Sequence, residues 1–512
     1  DRPRFENSAL RPRLTDEEAG RIAVRLPFLR GVELRARLQR HYPLSGLGVH
    51  ALGYVSRIAE SDLERIDKSV YRGMEHIGKL GVEAAYESLL LGRVGIEKIE
   101  TNAHGRALRV IERIPPIAGK NLHLNIDVRL QAIAEQALGK RRGAVVAAEP
   151  ATGAVLAFAS MPTYDPNAFV NGIETGAYRA LLDDLDRPLI NRALNGQYSP
   201  GSTIKAFLGL AALELNQYFD ARQSIVCPGW FTLPGSRHQF RDWKKGGHGT
   251  VDLHDAIVQS CDVYFYKLAV ALDIENLRAF LAPFGFGRPT GVDLIGDSTA
   301  RQPAPTWRRA RGRPWYPGET VITAIGQGLI LATPLQLVAG IGAIANQGVR
   351  MKPMLMRAYE DPKTRVTRAA APEAEAAIPL RDPRNLETVI RHWTGVVHTN
   401  RGTAFGISRN LTYKIAGKTG TAQVKGIAQG ATYSEHATPE RFRDHALFVG
   451  FAPVESPKVA VAVIVENGGH GSTAAAPIAR KMMDHVILGE GEGHPAPEAA
   501  RTMPIENTEE RE

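Results

Sequence analysis

The chain has 512 residues, of which 44% are hydrophobic and 23% are charged, and its formal net charge is +9. This length exceeds that of one average domain, and this composition is typical of a globular protein and excludes a wholly disordered chain. The positive charge favours an anionic neighbour, and a cell-wall polymer or membrane surface fits better than nucleic acid, so no nucleic-acid partner is expected.

Residues 1–115 form a basic N-terminal region that we interpret as a mixed α/β pedestal. Thr15–Glu18 has the pattern of a capping box at the start of a helix, and residues 32–38 alternate in polarity like a strand. No stretch of this region combines a nucleophile, a base and an orienting group. A platform for partner proteins is therefore favoured over a simple spacer.

No signal peptide or membrane-spanning helix is visible in the sequence. The longest apolar candidate runs from Val321 to Ala345, but Gln327, Pro334 and Gln336 interrupt it. This segment predicts a pair of buried helices rather than a bilayer span.

Pro115 and Pro116 mark the start of a second domain, predicted to cover residues 116–489. Its elements follow the order of strands, a long helical insert, further strands and a final helix, which predicts an α+β fold. The predicted elements are a strand at 122–127, a helix at 128–138, a hairpin at 143–159, strands at 413–424, 447–451 and 459–465, and a helix at 474–488. The Gly-, Pro- and Glu-rich residues 490–512 are predicted to be a disordered tail.

The first of three chemical motifs begins at Ser202. Pro200 and Gly201 interrupt the preceding structure, and the apolar run that follows predicts a buried helix starting near Ser202, with Lys205 one turn along the same face. A serine becomes nucleophilic when a base takes its proton, and an amine in a dry pocket is such a base. Taken alone, this S-x-x-K spacing is common, and a capping serine explains it more simply.

Two further motifs follow Ser202 in the chain. Ser260–Asp262 opens another helical stretch, and Lys418–Gly420 lies in a strand of small residues. The order S-x-x-K, S-x-[ND], K-[ST]-G is the signature of penicillin-recognising serine acyltransferases. Each motif alone could have a purely structural role, but three motifs in this order favour a catalytic site.

With these motifs the sequence resembles the class B penicillin-binding proteins, and among them the transpeptidases of cell elongation. The resemblance covers most of the chain and includes Ser160–Asn167, Arg241–Lys245, Gly326–Gly328 and Arg443–His445. It implies a penicillin-binding transpeptidase domain, in which an antiparallel sheet covered by helices adjoins an all-helical lobe. Gly326–Gly328 also looks like part of a phosphate loop, but it is interpreted as a packing turn because no strand-to-helix unit follows.

The resemblance also carries expectations about location and partners. Family members have one N-terminal anchor helix in the inner membrane, so the body of this protein is expected in the periplasm, with the anchor outside this chain. The pedestal is expected to dock membrane partners, namely a glycosyltransferase and proteins of the elongation complex.

The motifs assign roles to individual residues. Ser202 is the expected nucleophile, Lys205 its base, and Ser260 a relay of protons between Lys205 and the leaving amine. Lys418 is expected to hold the terminal carboxylate of the substrate. The substrate-binding residues beside it are Thr419, Gly420 and Thr421.

The resemblance also concerns two backbone N–H groups and the residue at position 262. By resemblance, the backbone N–H groups of Ser202 and Thr421 form the oxyanion hole. Most of the wider family has Asn at the position of Asp262, and because Asp lacks the amide donors of Asn, the contacts of that Asn to substrate cannot be copied to it. Asp262 is counted among the catalytic residues, with a charge expected to position Ser260 or Lys205, and a packing or capping role is the alternative.

The implied reaction is acyl transfer. Ser202 displaces the terminal D-alanine of a peptidoglycan stem peptide ending in D-Ala-D-Ala, and an amine of a neighbouring stem then takes the acyl group. β-Lactams would acylate the same serine. The alternatives are a DD-carboxypeptidase or β-lactamase that transfers the acyl group to water, a β-lactam sensor, and a non-catalytic scaffold, which would not need three intact motifs.

The two cysteines, Cys227 and Cys261, suggest a metal site, since Asp242 and His248 lie between them. Two thiolates, an imidazole and a carboxylate complete a tetrahedral structural zinc site that leaves no position for water. A disulfide or two free thiols are the alternatives. Zinc is favoured because Cys261 lies in the middle of the second motif, where its side chain faces away from both neighbours. No cofactor is expected for the chemistry itself.

Overall fold

The structure is a computed structural model that describes residues 10–11, 14–36, 38–103, 107–426, 434 and 437–489. The predicted tail, residues 490–512, lies outside the described residues. Among the helices of the described ranges, none has both the length and the apolar character that a membrane crossing requires.

The α-helices of the described residues are α1 Asp16–Arg25, α2 Val49–Leu52, α3 Gly81–Ala85, α4 Glu87–Leu90, α5 Val128–Leu138, α6 Thr175–Asp183, α7 Arg192–Asn195, α8 Lys205–Glu214, α9 Leu253–Val258, α10 Asp262–Leu281, α11 Pro305–Arg309, α12 Pro317–Thr323, α13 Pro334–Ala345, α14 Arg384–His398, α15 Gly471–Ala474 and α16 Ala476–Leu488. The strands are β1 Val55–Arg57, β2 His76–Gly78, β3 Ile96–Thr101, β4 Ala107–Ile114, β5 Asn121–Leu124, β6 Gly143–Ala148, β7 Val155–Met161, β8 Ile225–Cys227, β9 Trp230–Thr232, β10 Gln239–Arg241, β11 Gly249–Val251, β12 Met356–Glu360, β13 Thr367–Ala369, β14 Ala416–Ala422, β15 His445–Ala452 and β16 Val459–Val465.

A five-stranded antiparallel sheet forms the centre of the second domain, with strand order β14-β15-β16-β6-β7. Every residue of β16 is buried, and its sequence alternates valine with alanine and isoleucine, which are small or β-branched. A strand buried along its whole length must be covered on both faces. Helices α5 and α16 pack together against the sheet, and the apolar helix α13 also packs against β6, β15 and β16. The predicted α+β fold is confirmed.

The helical lobe lies between β7 and β14 in the chain. Helix α8 is buried on almost every face, as its apolar sequence predicts, and it packs against α9, α10 and α14. Helix α10 begins at Asp262 and has a non-helical backbone at Asp273 (φ 60°). The outer strand β14 contacts α14 and the turn that precedes α8, so the lobe meets the sheet along this edge.

The pedestal contacts the second domain through specific polar bonds. The backbone N–H of Tyr42 donates to Asn167 Oδ1 at 2.9 Å, and Asn167 Nδ2 donates back to the Tyr42 carbonyl at 2.9 Å. The N–H of Gly48 donates to Glu135 Oε1 at 2.8 Å. The mixed α/β character of the pedestal is confirmed, with short helices and the two hairpins β1–β2 and β3–β4.

Two predictions of local structure were wrong. The structure assigns no strand to the described residues between 32 and 38, since alternating polarity forms a strand only where a partner strand lies alongside. The predicted helix at Ser202 begins only at Lys205, after a 3₁₀ turn over Gly201–Ile204. The helix Val128–Leu138 and the strand Val459–Val465 are confirmed at their predicted bounds, and Thr15 forms the predicted capping box.

The sheet is tightly packed around Gly450 in strand β15. A methyl group added at Gly450 would lie 2.6 Å from the Ala416 carbonyl oxygen of the neighbouring strand, whereas one at Gly342 in α13 meets no atom within 4 Å. We expect Gly450→Ala to lower the unfolding free energy by about 1–3 kcal/mol through overpacking, and Gly342→Ala to raise it by about 0.5–1 kcal/mol because alanine loses less backbone entropy on folding. Thermal unfolding monitored by circular dichroism measures both, and equal effects of the two substitutions would contradict this packing.

Candidate active site

The predicted nucleophile lies in the 3₁₀ turn that leads into α8. Pro200 is the residue before this turn, and Gly201 has a positive φ of 54°. The side chain of Ser202 is half-buried, and its hydroxyl group forms no hydrogen bond within the described part of the chain. Ser202 therefore caps no helix in the described part of the chain.

Lys205, one turn after Ser202, is fully buried. Its ammonium group donates to the Ser260 carbonyl oxygen at 2.8 Å and to Ser260 Oγ at 3.3 Å. It also contacts Asp262 Oδ1 at 2.5 Å. The first two motifs therefore meet at one nitrogen atom.

Asp262 has a second, structural contact. Its Oδ2 accepts a hydrogen bond from the backbone N–H of Trp243 at 3.0 Å, so the carboxyl group is held between the lysine and a loop. Burial raises the pKa of Asp262, and the charge of Lys205 opposes this increase. The residue that departs from the family pattern is thus a direct partner of the predicted base.

The third motif lies on β14. The side chain of Lys418 is fully buried, and its Nζ donates to the Thr419 carbonyl oxygen at 3.2 Å. Burial lowers the pKa of Lys418 well below its ordinary value, and the nearby charge of Lys205 lowers it further. The Thr419 hydroxyl lies 2.7 Å from that of Thr403. The side chain of Thr421 is partly exposed.

The nucleophile turn and β14 touch through their backbones. A methyl group added at Gly201 would lie 2.5 Å from the Thr421 carbonyl oxygen and 3.2 Å from the Thr421 nitrogen. The N–H of Gly201 also donates to the Gly326 carbonyl oxygen at 2.9 Å. The turn at residues 326–328, which the sequence predicted to be a packing turn, thus packs directly against the predicted nucleophile.

The four predicted metal ligands come together behind the second motif. All four side chains are buried, and one ligand atom from each lies within 4.8 Å of the other three. Cys227 Sγ lies 3.6 Å from His248 Nδ1 and 3.5 Å from Asp242 Oδ2, and His248 Nδ1 lies 3.4 Å from Asp242 Oδ1. Burial and the Asp242 carboxylate raise the pKa of Cys261.

Asp242 connects this cluster to the second motif. Its Oδ2 accepts hydrogen bonds from the backbone N–H groups of Asp262 at 2.8 Å and Val263 at 3.2 Å, at the start of α10. Burial raises the pKa of Asp242, but hydrogen bonds from His248 and the N–H of Lys244 outweigh it and hold the pKa below its ordinary value. The carboxylate therefore caps the helix that carries Asp262.

Sequence reasoning missed two residues at this site. Trp243 donates from its backbone to Asp262 and from its indole Nε1 to the Ser260 carbonyl oxygen at 3.1 Å. Gln327 contacts the end of β14 through its side chain. Both lie in stretches that carry the family resemblance, and that was the available signal for them.

Two family models match the chain. The model described as penicillin binding protein transpeptidase domain matches residues 143–484. The model described as penicillin-binding protein dimerisation domain matches residues 2–124.

Curated relatives align over nearly the whole chain. It is 43% identical over 485 residues to the peptidoglycan D,D-transpeptidase MrdA of Acinetobacter baumannii, an alignment that covers 94% of this chain and 71% of the relative. It is 38% identical over 494 residues to the protein of the same name from Escherichia coli K12, covering 95% of this chain and 77% of the relative.

Solved structures share the fold. The crystal structure of Pseudomonas aeruginosa PBP2 in complex with WCK 5153 superposes with a TM-score of 0.78 at 42% identity, covering 92% of this chain and 95% of that one. PBP2 in the complex with MreC from Helicobacter pylori superposes with a TM-score of 0.80 at 33% identity, covering 92% of this chain and 82% of that one.

The buried pair of Lys205 and Asp262 yields a stability prediction. Asp262→Ala leaves the Lys205 ammonium group buried without its carboxylate, and breaking such a pair costs about 3–5 kcal/mol. Glu373→Ala is the matched control, because its salt bridge to Lys352 at 2.6 Å is largely exposed, and solvent screening makes its contribution to stability small. Urea unfolding measures both losses. Losses of equal size would contradict a close buried contact between Lys205 and Asp262.

Proposed function

The chain belongs to the family of penicillin-binding transpeptidases, and from this premise we propose that it is a peptidoglycan D,D-transpeptidase that works through an acyl group on Ser202. The observation that carries the proposal is the convergence of three separate motifs. Lys205 contacts Ser260 and Asp262, while the backbone of Thr421 packs against the turn that bears Ser202.

In the proposed acylation step, Ser202 Oγ attacks the carbonyl carbon of the penultimate D-alanine and its proton passes to Lys205 Nζ. The N–H groups of Ser202 and Thr421 stabilise the oxyanion of the tetrahedral intermediate. When the intermediate collapses, the C–N bond breaks and Ser260 Oγ relays a proton to the leaving D-alanine amine. An amine of a second stem peptide then attacks the acyl carbon, the ester C–O bond breaks, and the proton that the amine loses returns to Ser202 Oγ through Ser260 and Lys205.

Lys205 accepts a proton only as a neutral amine. Burial raises the pKa of Asp262, and its carboxyl group lies 2.5 Å from Lys205 Nζ, close enough to take a proton from the ammonium group before Ser202 reacts. Once Lys205 has taken the Ser202 proton, the adjacent Asp262 stabilises the resulting positive charge. Asp262 thereby tunes the base, a role that asparagine cannot fill by charge.

The side chain of Lys418, on β14, is proposed to bind the carboxylate of the substrate from a buried position. Its amine is buried, and this burial lowers its pKa. The carboxylate of an arriving substrate supplies an opposite charge, which raises that pKa again. The hydroxyl groups of Thr419 and Thr421 complete the proposed carboxylate site.

We also propose a structural zinc ion held by Cys227, Asp242, His248 and Cys261. Ligand atoms bonded to zinc at about 2.0–2.3 Å in a tetrahedron lie about 3.3–3.8 Å apart. The three separations among Cys227, Asp242 and His248, measured to either Asp242 oxygen, are 3.4–3.6 Å, and one ligand atom from each of the four residues lies within 4.8 Å of the others. The ion would stabilise the fold and supply no catalytic chemistry. It would hold Asp242 in place, and with it the start of α10.

We propose that the pedestal binds proteins of the elongation machinery on the periplasmic side of the inner membrane. The MreC complex of the Helicobacter relative supports this partner class. On this chain, the β3–β4 hairpin exposes large apolar side chains, including Ile96, Leu108 and Ile111, and exposed apolar patches of this kind mark protein interfaces.

The nucleophile assignment has a direct test. Ser202→Ala should abolish the mass increase that follows incubation with benzylpenicillin, and its melting temperature should stay unchanged because the Ser202 hydroxyl forms no hydrogen bond within the described residues. Intact-protein mass spectrometry measures the adduct. Ser236→Ala, at an exposed serine, is the control and should retain it. A full adduct on Ser202→Ala would remove Ser202 from its role.

The zinc proposal predicts about one zinc ion per chain by elemental analysis of the purified protein. His248→Ala should lower both the zinc content and the melting temperature, whereas His238→Ala, at an exposed histidine, should change neither. A metal-free protein whose two cysteines form a disulfide, with normal acylation, would decide against zinc.

A further inference from the structure

Gln327 makes two hydrogen bonds to the end of β14. Its side-chain Nε2 donates to the Thr421 carbonyl oxygen at 2.8 Å, and its Oε1 accepts from the backbone N–H of Gln423 at 3.2 Å. The flanking residues Gly326 and Gly328 both have positive φ angles, of 69° and 74°. The backbone of this turn is thus shaped to present one side-chain amide to the strand.

The amide group of Gln327 occupies the place of a missing partner strand. β14 is the edge strand of the five-stranded sheet, with β15 on its inner side. In an antiparallel ladder, the N–H and C=O of one residue point to the same side, and this side alternates along the strand. Because Thr421 and Gln423 both bond to Gln327, their backbone groups face the open edge.

This geometry determines where the Thr421 N–H points. With the Thr421 carbonyl oxygen fixed by Gln327, the N–H of the same residue faces the same open edge, toward Gly201 in the nucleophile turn. The Gln327 turn is also bound to that nucleophile turn, because the Gly201 N–H donates to the Gly326 carbonyl oxygen at 2.9 Å. One short turn therefore fixes the distance between the Ser202 turn and the edge of β14.

We propose that Gln327 is a positioning residue for the oxyanion hole, which aligns the Thr421 N–H with the Ser202 N–H and marks the end of the free strand edge. A substrate backbone that pairs with β14 can use the edge at Thr419, whereas Gln327 occupies the edge from the Thr421 carbonyl oxygen to the Gln423 N–H. This inference rests on the proposed function, since the oxyanion forms only if Ser202 is acylated.

If Gln327 positions the oxyanion hole, its loss should change other quantities than if it only supports the fold. An oxyanion hole acts on the tetrahedral intermediate and much less on the bound ground state. Loss of alignment should therefore lower the rate constant of acylation and leave the initial non-covalent affinity nearly unchanged. A side chain that only supports the fold should instead lower the melting temperature, or change affinity and rate together.

The test is stopped-flow acylation with nitrocefin, which separates the non-covalent dissociation constant from the acylation rate constant. Loss of a direct oxyanion donor costs about 10²–10³-fold in rate. We expect Gln327→Ala to lower the acylation rate constant about 10- to 100-fold, with the dissociation constant within about threefold of wild type. Gln223→Ala, at an exposed glutamine, is the matched control and should match wild type.

The variant Gln327→Glu adds a second measurement, the pH dependence of the acylation rate, which a purely packing role would leave unchanged. Glutamate keeps the shape and the acceptor of glutamine but regains a donor for the Thr421 carbonyl only when protonated. Its acylation rate relative to wild type should therefore rise as the pH falls, and this variant decides the question if Gln327→Ala fails to fold.

An unchanged acylation rate in Gln327→Ala, or a pH-independent ratio for Gln327→Glu, would overturn the positioning role. A wild-type protein that does not acylate at all would instead overturn the proposed function, so the two failures are distinguishable.

Discussion

A buried lysine amine governs the arrangement of this site. Lys205 has no access to water, so its nitrogen must find polar partners inside the protein or remain at a large desolvation cost. It finds them in Ser260 and Asp262, both supplied by the segment that enters α10. The position of that segment therefore decides which polar partners hold Lys205, the proposed base, in place.

The surrounding structure holds this segment from several sides. Trp243 donates hydrogen bonds to Asp262 and to the Ser260 carbonyl, and Asp242 caps the first turn of α10. Asp242 is also one of the four clustered residues that we propose as zinc ligands. A bound metal would thus act on the chemistry indirectly, by fixing the backbone that presents Ser260 and Asp262 to Lys205.

The sequence predicted those parts of the molecule whose determinants are local or recur as motifs. The apolar β-branched run Val459–Val465 and the capped helix Val128–Leu138 appear at their predicted bounds, and the three motifs converge. Cys227 and Cys261 also cluster with Asp242 and His248, as their order in the sequence suggests.

Features that depend on distant contacts escaped prediction. The 3₁₀ turn at Ser202 depends on the close approach of Gly201 to Thr421, more than two hundred residues away. The contacts of Gln327 follow from the free edge of β14, which is visible only once the strand order is known. The burial of Lys418 likewise requires the lobe and the sheet to be assembled, since lysine alone predicts an exposed side chain.

In the proposed reaction, the acyl group on Ser202 passes to an amine rather than to water. The most direct measurement is the partition of products when the protein is given a stem pentapeptide and increasing concentrations of a D-amino acid as acceptor. The exchanged peptide, in which the acceptor replaces the terminal D-alanine, should increase with acceptor concentration at the expense of the hydrolysed tetrapeptide. Formation of hydrolysed tetrapeptide alone, at a rate independent of the acceptor, would show that water and not an amine takes the acyl group.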